Sequence, residues 1–141
     1  MNQEKTEELG KELSKLLILR AKKLEDSLKE IVVEVKSENI NELLRNNKLI
    51  FLYFTAEWCG PCITFLQTFK EVAAQHITPG VLYGKVDVDS SYSIADKYKV
   101  KHIPSIIIIM NNEVVDSIVG QTSKEKLENK ILSYIHSSSP P

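Results

Sequence analysis

The chain has 141 residues, 43% hydrophobic and 26% charged, with 18 Lys and Arg against 19 Asp and Glu. That length carries one domain with room for an appendage, and the near-average composition argues against intrinsic disorder or a fibrous repeat. A formal net charge of −1 gives no excess of cations to neutralise phosphates, which argues against broad nucleic-acid binding.

From Lys5 to about Glu30 the pattern predicts one long amphipathic helix. Leu9, Leu13, Leu16, Leu17, Leu24, Leu28 and Ile31 recur at steps of three and four, with Glu and Lys between them. Two roles fit such a helix: docking on its own domain, or binding a partner, another copy of the chain included. Its balanced charges disfavour a membrane-surface role. Glu4, Glu7 and Glu8 stand where a secretory signal would be basic. The longest apolar runs, Leu16 to Leu19, Leu49 to Phe54 and Ile106 to Met110, fall far short of the roughly 20 residues a membrane-spanning helix needs. The expected location is therefore the cytoplasm.

After the helix the period shortens. Ile31, Val33 and Val35 alternate with Val32, Glu34 and Lys36, which predicts a short strand whose second set faces water. Asn39 and Glu42 have the spacing of a capping box for a helix through Arg45. Leu49 to Thr55 is a dense run of apolar and aromatic residues, as in a central strand buried on both faces. Cys59 to Gln75 predicts a helix with Phe65, Leu66, Phe69, Val72 and Ala73 inward. Pro79-Gly80 marks a turn before a strand over Val81 to Val88, and Ser90 to Tyr98 predicts a short helix with Ile94, Ala95 and Tyr98 inward. Ile106 to Met110 and Val114 to Val119 pair across an Asn111-Asn112 turn. Thr122 and Glu125 suggest a second capping box, opening a helix through Ile135 with Leu127, Ile131, Leu132 and Ile135 apolar. Ser137 to Pro141 reads as a disordered tail. The order α-β-α-β-α-β-α-β-β-α predicts an α/β fold, a mixed sheet with helices on both faces.

Trp58-Cys59-Gly60-Pro61-Cys62 lies between the buried strand and the start of a helix. Thiolate is the reactive form of cysteine, and the free N–H groups of a helix N-terminus stabilise negative charge. Pro61 suits a first turn, where its missing N–H costs no intrahelical bond. Cys59, nearer the open end, fits the attacking thiol, and Cys62, one turn in, the resolving thiol. A structural disulfide is a poor alternative, because so small a ring removes little unfolded-chain entropy. No metal site is expected: there is no second cysteine pair, and His76, His102 and His136 lack ligand spacing.

At these residues the sequence resembles the thioredoxin family. The resemblance rests on Ala56-Glu57-Trp58-Cys59-Gly60-Pro61-Cys62, Lys85-Val86-Asp87-Val88-Asp89, Ile103-Pro104-Ser105 and Val119-Gly120, in family order. It implies a thioredoxin domain over residues 31–136, preceded by the added helix of residues 1–30 and followed by the tail, residues 137–141. It implies dithiol–disulfide exchange without a cofactor beyond the Cys59–Cys62 couple, protein disulfides as substrates, and a thioredoxin reductase as electron source. Pro104 matches the family's cis-proline, with the Ile103 backbone available to an extended substrate. Gly120 and Trp58 match its flat apolar patch. The family's buried carboxylate is replaced by Tyr53, a poor base at neutral pH. Lys85 matches the lysine that accompanies that carboxylate; without it, Lys85 is expected to reach solvent or to bond the Tyr53 hydroxyl. His102, two residues before Pro104, is a candidate for contact with substrate. Two rivals to a disulfide reductase are an isomerase or oxidase, and an adaptor that works through the 1–30 helix.

Overall fold

The computed structural model describes residues 3–138, and the chain divides into two compact units, residues 1–30 and 31–141. The first is carried by helix α1 (Gln3–Ile31), whose Leu9, Leu13, Leu16, Leu17, Ile18 and Leu19 are all exposed. Among the described residues no helix is long and apolar enough to cross a membrane.

The second unit runs β1 (Val32–Glu34), α2 (Ile40–Asn46), β2 (Leu49–Thr55), α3 (Gly60–Gln75), β3 (Val81–Asp87), α4 (Tyr92–Lys97), β4 (Ser105–Met110), β5 (Glu113–Val119) and α5 (Lys124–Ser138). Its five strands form one sheet in the order β1-β3-β2-β4-β5. β3 runs parallel to both β1 and β2, while β4 is antiparallel to β2 and to β5. β2 lies at the centre, and every one of its seven residues is buried.

The alternation of β2 side chains divides the interior into two layers. Leu49, Phe51 and Tyr53 pack with Phe65, Phe69, Val72, Leu127 and Ile131 beneath α3 and α5. Ile50, Leu52 and Phe54 pack with Ile40, Val86, Ile94, Ile107 and Ile109 on the α2 and α4 side. Gly84 on β3 is required by a close approach: a Cβ there would lie 2.7 Å from Val35 Cγ2 and 2.9 Å from Leu52 Cδ2. Asn111 and Asn112, at φ of 52° and 66°, make the predicted hairpin turn, where Asn tolerates the left-handed region.

Several local expectations are corrected. Ile31 ends α1 instead of opening β1, and Val32, expected on the wetter face, is buried. Asn39 precedes α2 without a capping bond. Its side chain instead ties the preceding turn, accepting from Lys36 N–H at 2.8 Å and donating to the Glu34 carbonyl at 2.9 Å. The cap of α5 is Ser123, whose Oγ accepts from Lys126 N–H at 3.1 Å, so the Thr122–Glu125 box does not form. α5 continues through Ser137 to Ser138, beyond Ile135, and residues 139–141 of the expected tail lie outside the described residues. Leu66 and Leu132 are half-buried, off the centres of their helices' inner faces.

Candidate active site

The C-terminal end of β2 delivers Thr55 and Ala56 to a tight turn, and Cys59 follows as the N-cap of α3. Cys59 and Cys62 are joined in a disulfide with Cα atoms 5.2 Å apart. Cys59 Sγ also accepts from the Cys62 N–H at 3.2 Å, so a free backbone donor of the helix start points at the sulfur. That donor and the dipole of α3 favour thiolate at Cys59 once the bond is reduced. Pro61 occupies the first turn, as its missing N–H permits. Cys59 is 6% exposed and Cys62 is fully buried. An incoming sulfur therefore meets Cys59.

The surroundings of the pair are apolar: Ala56 is buried beside it, and Val88 and Ile103 pack against it half-buried. The Ile103–Pro104 peptide bond is cis, and the Pro104 carbonyl accepts from Gly120 N–H at 2.8 Å. Gly120 sits at φ 82°, which a side chain would strain. Gln121 Nε2 reaches the Pro61 carbonyl at 3.5 Å, joining this loop to the first turn of α3. Trp58 lies 72% exposed over the same rim, its indole N–H donating to Asp89 Oδ2 at 2.8 Å. His102 is exposed at that rim, and its carbonyl accepts from Ser105 Oγ.

Beneath the disulfide lies Tyr53, fully buried between Phe65 and Phe69 at centroid distances of 6.0 and 5.2 Å. Its hydroxyl donates to the Cys62 carbonyl at 2.7 Å. Burial pushes its pKa well above the ordinary phenol value, so it holds its proton. Of the two arrangements expected for Lys85, a bond to the phenol is absent among the described residues; the hydroxyl's one bond is the one it donates to the Cys62 carbonyl. Lys85 stands beside Tyr53 in the β2–β3 register and is half-buried.

The structure thus brings Cys59, Cys62, Tyr53, Ile103 and Pro104 together, with Trp58, Gly120 and His102 around the opening. Sequence reasoning gave no role to Asp89 or Gln121. Both act through contacts 31 and 60 residues distant, for which local spacing carries no signal.

The thioredoxin family model matches residues 31–133. The chain belongs to the thioredoxin family. It is 33% identical over 105 residues to Thioredoxin-1 of Caenorhabditis elegans, covering 73% of this chain and 89% of that protein. It is 35% identical over 101 residues to Thioredoxin H4 of Arabidopsis thaliana, with 72% and 83% covered. Among solved structures, thioredoxin from Trypanosoma brucei brucei superposes at a TM-score of 0.65 with 29% identity, over 74% of this chain and 91% of that one. Oxidised thioredoxin from Plasmodium falciparum gives a TM-score of 0.65 at 26% identity, over 73% and 97%. The fold is a thioredoxin fold with an N-terminal helix. The protein is a thiol–disulfide oxidoreductase that reduces protein disulfides through Cys59 and Cys62.

Proposed function

We propose that the protein is a cytoplasmic electron carrier that takes electrons from a thioredoxin reductase and delivers them to disulfides of other proteins. The observation that carries this reading is the asymmetric pair: Cys59 at the helix N-terminus, 6% exposed, and Cys62 fully buried one turn in.

In the reduced protein the Cys59 thiolate attacks one sulfur of a substrate disulfide. A Cys59–substrate S–S bond forms, and the other substrate sulfur departs as a thiolate that takes up a proton. Cys62 then loses its proton and attacks Cys59 Sγ. The Cys59–Cys62 bond forms, and the second substrate sulfur leaves as a thiolate. Two electrons pass to the substrate, which becomes a dithiol as the protein becomes a disulfide. The Ile103 backbone beside cis-Pro104 pairs with an extended substrate strand, and Trp58, Gly120 and His102 line its approach. Lys85, Gly60 and Pro61 support the site from β3 and from the first turn of α3.

Equilibration of the Cys59–Cys62 couple against defined dithiothreitol buffers tests the direction of transfer. A potential near about −270 mV is expected of a reducing carrier. A value of roughly −180 to −120 mV overturns that reading in favour of an isomerase or oxidase.

A further inference from the structure

β5 carries a feature that disulfide exchange does not use. It forms one edge of the sheet with seven residues, against the three of β1 at the other edge. Val114, Val115 and Val119 along it are 54%, 44% and 63% exposed. A long apolar edge strand is a template for a further strand, because its outward N–H and C=O groups have no neighbour in the sheet. Two bonds set the phase of the ladder. Gly120 N–H donates to the Pro104 carbonyl at 2.8 Å, which points the even-numbered residues of β4 at β5. Asn111 N–H donates to the Lys48 carbonyl at 2.8 Å, which points the odd-numbered residues at β2. On β5, Asp116 and Ile118 therefore pair with Ile108 and Ile106, while Ser117 and Val119 turn their backbone groups to the open edge.

At that edge the Ser117 N–H is already taken. It donates to Asp116 Oδ1 at 2.7 Å. The other carboxylate oxygen is anchored on α5, accepting from Lys130 Nζ at 2.9 Å and from the Tyr134 hydroxyl at 2.7 Å. From this arrangement we infer that Asp116 is a latch that closes the β5 edge to β5 of a second copy of the chain. A two-fold at Ser117 sets the two Ser117 residues opposite each other and Val119 against Val115, so that the exposed valines meet. Its central bonds run from each Ser117 N–H to the other Ser117 carbonyl. A register two residues along, with Ser117 against Val119, needs the same donor. In either register the incoming carbonyl oxygen must take the place that Asp116 Oδ1 holds, and two acceptors cannot share that one proton without repulsion.

The test is sedimentation equilibrium of the full chain in dithiothreitol across a dilution series, with variants beside the parent. Asp116→Ala removes the acceptor. It should tighten self-association about ten-fold or more over the parent, towards twice the 16.0 kDa chain mass, since each pair gains two backbone bonds. Asp116→Val, which suits a strand and also lacks the acceptor, should do the same. Asp116→Ala with Ser117→Pro lacks the edge N–H and should return to the parent's mass. Amide hydrogen exchange locates the contact: the Ser117 and Val119 amides should slow with concentration in Asp116→Ala and not in the parent. Disulfide reduction at the parent rate would report that residues 31–138 remain folded in every variant. Alanine and valine variants no more associated than the parent overturn the inference. So does association that survives Ser117→Pro or leaves the Ser117 and Val119 amides unchanged.

Discussion

Tyr53 stands where the resemblance to thioredoxins implies a buried carboxylate, and the chemistry that follows belongs to the second half of the exchange. Cys62 must lose a proton to attack the mixed disulfide, and Tyr53 is the polar side chain bonded to it, through the Cys62 carbonyl. A phenol whose pKa burial raises, and whose proton is given to that carbonyl, does not accept another at neutral pH. Tyr53 is therefore a positioning residue that fixes the first turn of α3. Tyr53→Phe should lower stability by about 1–2 kcal/mol, through the carbonyl left with one partner fewer. It should leave the pH profile of mixed-disulfide resolution where it was; a shifted profile would restore the phenol as a base. Tyr53→Asp should speed resolution near neutral pH by supplying an acceptor, and an unchanged rate would sink the idea. The cysteine pair and its polarity were legible in the sequence because both depend on local spacing, whereas Tyr53 in place of a carboxylate was legible only through the resemblance to thioredoxins. The Trp58–Asp89 and Gln121–Pro61 contacts were not, since only the folded sheet brings β3 and the loop after β5 to the start of α3.

Among the elements, β5 and α5 are clasped by a small polar cluster outside the core. Asp116 Oδ2 accepts from Lys130 Nζ at 2.9 Å and from the Tyr134 hydroxyl at 2.7 Å. These bonds hold the Asp116 carboxyl below its ordinary value, the Lys130 bond first and the Tyr134 bond second, against a smaller opposing effect of burial. A folded-state pKa below the unfolded one means stability present above about pH 4 and lost as the pH falls through the folded value. Asp116→Asn should cost roughly 0.5–1.5 kcal/mol at pH 7, the scale of a partly exposed charged hydrogen bond. In urea titrations the gap between variant and parent should close as the pH drops below about 4; a gap constant with pH would mean that the charge contributes nothing. The elements themselves follow the sequence pattern closely: β2 and the hairpin of β4 and β5 fall where the dense apolar runs and Asn111-Asn112 put them. Helix ends were less legible. Asn39 and Ser123 compete for several backbone groups, and the winning bond depends on the neighbouring turn; for Asn39 it joins Lys36 and Glu34.

Over the whole molecule, the groups that perform exchange are confined to one of the two units. Cys59, Cys62, Tyr53, cis-Pro104 and Gly120 all lie within residues 31–138, as do both apolar layers of the sheet. The family match, over residues 31–133, covers the same unit. Each layer packs against helices of that unit, α3 and α5 on one side and α2 and α4 on the other. Removing residues 1–30 should therefore leave a chain that unfolds in one cooperative step and reduces a small disulfide substrate at the parent rate. Retained catalysis against that substrate would mark residues 31–141 as the whole catalytic unit. Loss of catalysis against a small substrate would instead make α1 part of the catalytic unit. Retained catalysis with capture of a particular protein only by the full chain would favour the adaptor. A carrier needs only the surface around Cys59, Trp58 and Pro104, which a helix joined at Ile31 leaves encoded in the truncated chain.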